Sequence, residues 1–187
     1  MPPRGRLAFL VLAALPAVGP AAGAQDAAPP ADPLAGFGWL RDLAGSCWTT
    51  VLPGGTLRDT QCYEVRFGRF LAGSIRLEPV ETAAKDPAAP KLPHGAGFAG
   101  ENVCKAEDGG RIACWNWGSD GTFAPGAYVA EGDLFRYPLS RKPGSAAPEQ
   151  RMTWKRLDAD TVRVSREKKD GDAWTESFAV VYTRVRP

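Results

Sequence analysis

The residues with chemistry to offer are few. The chain of 187 residues carries four cysteines, Cys47, Cys62, Cys104 and Cys114, and a single histidine, His94. Thiols can hold a metal, attack a substrate or cross-link. C-x-x-C spacing is absent and one histidine cannot complete a multi-histidine cage, so no metal site is expected. Turn arithmetic points to cross-linking instead. If Gly54-Gly55 is a two-residue hairpin loop, opposed residues have numbers adding to 109, as Cys47 and Cys62 do. If Asp108-Gly109-Gly110 is a three-residue loop, opposed numbers add to 218, as Cys104 and Cys114 do. Cross-strand pairs lie about 4.5 Å apart at Cα when not hydrogen-bonded, within disulfide reach. The pairings Cys47–Cys62 and Cys104–Cys114 follow, and thiols so bound are not nucleophiles.

Other chemistry finds little support. His94 sits in Pro93-His94-Gly95 and no Gly-x-Ser-x-Gly occurs, so neither a serine triad nor haem ligation is favoured, and no cofactor is expected. Asp59, Glu101 and Glu176 could pair for glycoside chemistry, but their spacing does not favour it over salt bridges. Phosphate-cradling glycines would need a strand–loop–helix setting, which the pattern lacks. Basic residues number 23 and acidic residues 21, with no basic aromatic stripe, so no nucleic-acid partner is expected.

The elements that must position these residues begin after an export signal. Arg4 and Arg6 precede a short apolar run over 7–18, and Ala22-Gly23-Ala24 offers cleavage before Gln25. Residues 1–24 are thus read as a signal peptide, 25–32 as a flexible arm and 33–187 as the folded domain. The expected location is periplasmic or secreted, without membrane insertion after cleavage. Removing the signal takes two arginines and no acid, leaving the remainder with balanced formal charge. Asp32-Pro33 starts a short helix near 33–43, despite Gly36 and Gly38 inside it. Ten strands follow, at 46–52, 56–67, 70–78, 99–107, 111–118, 122–130, 133–139, 150–157, 161–168 and 173–185, separated by Gly/Asp turns. The expected fold is all-β, an antiparallel up-and-down barrel of about ten strands behind a short N-terminal helix. Segments 79–98 and 140–149, rich in proline, are expected as surface loops.

Strand parity assigns faces. Trp48, Tyr63, Val65 and Phe67 are placed inside, opposite to Cys47 and Cys62. In the second hairpin Val103, Trp115 and Trp117 are placed inside with Glu101, and Cys104, Cys114, Asn102 and Asn116 outside. In the last strand Trp174, Phe178, Val180 and Tyr182 share a face with Glu176 and Arg184. Asp59 and Gln61 add polar groups to this interior.

Leu43-Ala44-Gly45-Ser46-Cys47-Trp48, following a helix and opening the first strand, resembles the opening motif of the calycin superfamily. The closer likeness is to small secreted bacterial calycin-like families of unknown function, over roughly 33–185. The resemblance implies that an arginine of the last strand, Arg184 or else Arg186, packs over Trp48 as a structural cation–π contact. It also implies binding of a small apolar or amphipathic molecule. The expected function is therefore non-enzymatic binding of such a molecule, with Tyr63, Val103, Trp115, Trp117 and Phe178 as ligand-contacting residues. Two alternatives stand beside it: an envelope interaction or inhibitor module with a filled barrel, and a hydrolase using interior carboxylates.

Overall fold

The computed structural model describes residues 32–80, 94–139 and 149–185. The expected signal peptide, all of the expected arm but Asp32, most of the 79–98 segment, residues 140–148 and Arg186 lie outside the described residues. Ten antiparallel strands form a closed barrel: β1 Ser46–Val51, β2 Leu57–Arg66, β3 Phe70–Pro79, β4 Ala99–Ala106, β5 Arg111–Gly118, β6 Phe123–Glu131, β7 Leu134–Leu139, β8 Gln150–Arg156, β9 Thr161–Asp170 and β10 Ala173–Val185. Each strand pairs with the next, and β10 returns to β1, so no sheet edge is left open. This architecture is consistent with a calycin-like fold.

The turns behave as their chemistry dictates. Cys47 faces Cys62 and Cys104 faces Cys114, and both disulfides are formed. The first loop is longer than expected. The Leu52 N–H donates to the Leu57 carbonyl, leaving four residues, 53–56, in the turn. Its centre is unchanged, so the register survives. Two disulfides fit a chain folded in an oxidising compartment.

A 3₁₀ helix, Ala35–Leu43, closes one end of the barrel. It begins two residues later than expected, because the Asp32 carboxylate accepts the Leu34 N–H and holds the chain in a turn there. Gly38 breaks the helix at φ 52°, a conformation that costs a residue with Cβ about 1 kcal/mol or more. The break lets the chain bend over the barrel end. Phe37, Leu40 and Leu43 then drop into the lumen, each at most 4% exposed.

The seam between β1 and β10 is tied to this helix. Trp48 lies directly across from Arg184, whose guanidinium sits 4.8 Å above the indole ring. The Trp48 Nε1–H donates to the Leu43 carbonyl, and Arg184 Nη2 donates to the Asp42 carbonyl. Trp48 is 3% exposed.

Two face assignments are corrected. In β4 and β5 the side chains of Asn102, Cys104, Ile112 and Cys114 point inward and are buried, while Trp115 and Trp117 lie outside, 36% and 45% exposed. Val103, paired with Trp115, is on the outer face too, as is Glu101, paired with Trp117. The second disulfide is thus an apolar part of the interior, whereas the first lies on the outer wall. In β10 a bulge between Glu176 and Phe178 inserts one residue. A one-residue shift flips every side chain before it. Phe178, Val180, Tyr182 and Arg184 therefore face in, while Trp174 and Glu176 face out, where Trp174 carries the Arg151 guanidinium at 4.1 Å and Glu176 pairs with Arg163. Val65 keeps the inner parity but is 40% exposed at the barrel end, and Phe67 is 89% exposed in the turn that follows.

Trp48→Ala removes a buried ring, its indole hydrogen bond and the seat of Arg184. The expected loss is about 3–5 kcal/mol in denaturant unfolding. A variant that unfolds at the wild-type midpoint would show that the seam does not depend on this side chain.

Candidate functional site

Inside a ten-strand barrel, space is decided by which strands present glycine and which present rings. Gly73 on β3 faces Tyr63 of β2, and a Cβ there would lie 2.9 Å from the Tyr63 ring. Gly126 on β6 lies under Tyr137 of β7, and a Cβ there would lie 1.9 Å from the phenol oxygen. The missing side chains let both tyrosines lie across the lumen. Tyr137 stands 4.9 Å from Tyr128, Tyr128 stands 6.0 Å from Trp154 edge-on, and Trp154 is parallel to Tyr182 at 6.3 Å. These four rings form a layer across the barrel.

Polar groups extend the layer. The Tyr63 hydroxyl donates to Gln61 Oε1 at 2.6 Å. Gln61 Nε2 donates to the Tyr182 oxygen at 3.0 Å and to Asp59 Oδ2 at 3.1 Å, and the Tyr182 hydroxyl donates to the same Oδ2 at 2.6 Å. Asp59 is 7% exposed, and its Oδ1 is buried without a hydrogen-bond partner. Burial raises the Asp59 pKa above the ordinary carboxylate value, and the bonds from Tyr182 and Gln61 only partly offset that. Burial likewise pushes the Tyr63 and Tyr182 hydroxyls far up, so both remain protonated donors.

The layer divides the lumen. Toward the helix it is filled: a cavity of only about 10 Å³ remains, among Phe37, Leu40, Tyr63, Asn102, Ile112 and Trp154, with room for no more than about one water. Away from the helix, Leu77 of β3 and Gln150 of β8 are buried, but several other inward-facing side chains keep part of their surface. Ile75, Asn116, Tyr137, Met152 and Phe178 are half-buried and Ala124 is exposed, although all face the inside of a closed barrel. This half communicates with solvent. Its wall mixes apolar surface with the Asn116 amide, which donates to the Tyr137 oxygen at 2.9 Å, and with Arg166, whose Nε donates to Gln150 Oε1 at 2.9 Å. Lys168 continues the inner face of β9 toward the rim.

Of the five residues expected to contact ligand, Tyr63 lies in the polar layer and Phe178 on the open half of the lumen, while Val103, Trp115 and Trp117 lie on the outer wall. The three carboxylates are not brought together: Asp59 is inside, Glu101 is outside on β4 and Glu176 is outside on β10. His94 is engaged elsewhere, stacked on Phe98 at 3.9 Å with Nδ1 3.2 Å from Asp120. Sequence reasoning passed over Tyr128, Tyr137, Met152 and Trp154. The alternation Gln150, Met152, Trp154 along β8 was the available signal for two of them.

The raised Asp59 pKa has a direct consequence. The folded state holds the proton more tightly than the unfolded chain, so this group's contribution is complete below about pH 4. It is lost as pH rises from there through the higher folded value. Asp59→Asn keeps an accepting oxygen and cannot ionise. Its stability relative to wild type should rise with pH across that window by about 1.4 kcal/mol per unit of pKa elevation, then stay level. Urea unfolding of both proteins from pH 3 to pH 7 measures this, and a pH-independent difference would contradict it.

No protein-family model matches this chain, and no curated protein matches it either, so its function is read from the geometry.

Proposed function

We propose that the protein is an exported, non-enzymatic binding protein for a small amphipathic molecule, held in the half of the lumen that faces away from the 3₁₀ helix. One observation carries this reading: inward-facing Ile75, Met152 and Phe178 stay half-exposed inside a closed barrel whose other half is filled. Sites for small molecules are concave and mostly apolar, with a few placed polar groups. Here the apolar wall is backed by the tyrosine layer, and the polar groups are Asn116, Tyr137 and Arg166. Each Å² of apolar ligand surface buried there contributes about 25 cal/mol before the cost of association. The hydrophobic N-terminal run and the two disulfides support export. The separation of Asp59, Glu101 and Glu176 leaves a hydrolase without its paired carboxylates.

The test uses a fluorescent anionic probe, 1-anilinonaphthalene-8-sulfonate, with displacement by dodecanoate. Saturable enhancement at one probe per chain is expected, reversed by the fatty acid. Phe178→Ala should weaken probe binding about five-fold or more, and Trp115→Ala should leave it unchanged. No saturable response, or one lost with Trp115 and kept without Phe178, would overturn the reading.

A further inference from the structure

The outer wall of β2–β6 carries a second constellation that the lumen does not use. Register aligns Cys62, Ser74, Glu101, Trp117 and Phe123 in one row across five strands, all with outward side chains. The neighbouring row brings Val103, Trp115 and Pro125 together. Trp115 and Trp117 stand two positions apart on β5, about 7 Å along the strand. The Trp117 and Phe123 rings are 5.7 Å apart at 38°, and Phe123 is 57% exposed. Three large rings are thus left against solvent in a chain that buries Trp48 and Trp154 almost completely.

Beside this strip lies a groove of about 260 Å³ lined by Thr60, Cys62, Ser74, Arg76 and Glu78. It adjoins the strip through Ser74 and Glu101, which are paired neighbours. Among the described residues the side chains of Arg76, Glu78 and Glu101 make no ion pair. The groove therefore presents two hydroxyls, a guanidinium and the Glu78 carboxylate, with Glu101 beside it, so both signs of charge lie close together.

The geometry points to a binding site for a neutral oligosaccharide on this wall. A pyranose ring has an apolar C–H face and a rim of hydroxyls. The exposed rings match the face, and the groove supplies donors and acceptors for the rim. Mixed charge disfavours an anionic polymer or an anionic membrane surface, which would call for basic residues alone. A protein partner is matched less well. Protein hot spots sit at the centre of a patch with a polar surround, whereas here the aromatic strip and the polar groove lie side by side. This site is independent of the luminal one, since its residues have the opposite parity on the same strands.

Calorimetry and tryptophan emission with cellohexaose, chitohexaose and maltohexaose test the assignment on the intact protein. At least one sugar should bind saturably and shift the emission. Trp117→Ala and Arg76→Ala should each weaken it ten-fold or more without changing the melting temperature, because both side chains are exposed. Phe178→Ala, which reports on the lumen, should leave sugar binding unchanged. Absence of binding to all three sugars at millimolar concentration would overturn the site, as would binding indifferent to Trp117. So would wild-type self-association in sedimentation that Trp117→Ala abolishes, which would make the strip a protein contact.

Discussion

Everything in this molecule depends on the closure of β10 onto β1. Nine of the ten strand pairings join consecutive strands through short or long connections, but the tenth joins the two ends of the sheet with no loop to help it. Open, the same sheet would expose two edges of unpaired backbone groups. The register there runs only from Cys47 opposite Val185 to Thr49 opposite Thr183. Side chains reinforce this short seam. Trp48 and Arg184 occupy its central paired position, and each also bonds a carbonyl of the helix end, at Leu43 and Asp42. Arg184 also approaches Asp160 at 3.5 Å in the turn between β8 and β9. One arginine thus links the last strand, the first strand, the capping helix and a neighbouring turn.

The contents of the lumen follow from that cap. Once Phe37, Leu40 and Leu43 occupy the helix end, the space above them must be filled to crystal-like density. Tyr63, Tyr128 and Trp154 do so from three strands. Of their polar tips, the Tyr63 hydroxyl finds Gln61, which together with Tyr182 donates to Asp59, while the Trp154 indole N–H is buried without a hydrogen-bond partner. A buried carboxylate with one unpartnered oxygen is the local cost of that arrangement.

Strand boundaries and both disulfides were legible in the sequence because tight turns fix register locally, and the Gly/Asp clusters mark the turns. Faces were legible only where burial was unambiguous. Trp48 and Tyr63 alternate with polar or small residues, so their direction could be read. In the second hairpin both faces are apolar, with Trp115 and Trp117 against Ile112 and the cysteines, and ring size is a poor guide to which goes in. A disulfide packs as well as a leucine does, and the lumen beside the helix had no room for two more indoles. In β10 the error has another origin. A bulge has no reliable sequence mark at Ser177, yet it reverses the parity of Trp174 and Glu176. The open half of the lumen was illegible for a third reason: its lining comes from β3 and from the run β5–β10, and only the closed ring shows which of those residues meet.

The two disulfides stand on opposite sides of the wall, and this gives them different reaction rates with a common bond type. Exchange requires a thiolate to reach one sulfur in line with the bond. Cys47 and Cys62, on the outer wall, are half-buried and can be approached from solvent. Cys104 and Cys114 are 5% and 1% exposed inside the barrel, beneath the helix. A small reductant added to the native protein therefore opens the outer bridge first, and the inner one waits for the barrel to breathe. The folded chain thus acts as its own protecting group, and a species with one bridge opened and the seam still closed becomes a kinetic intermediate of reduction.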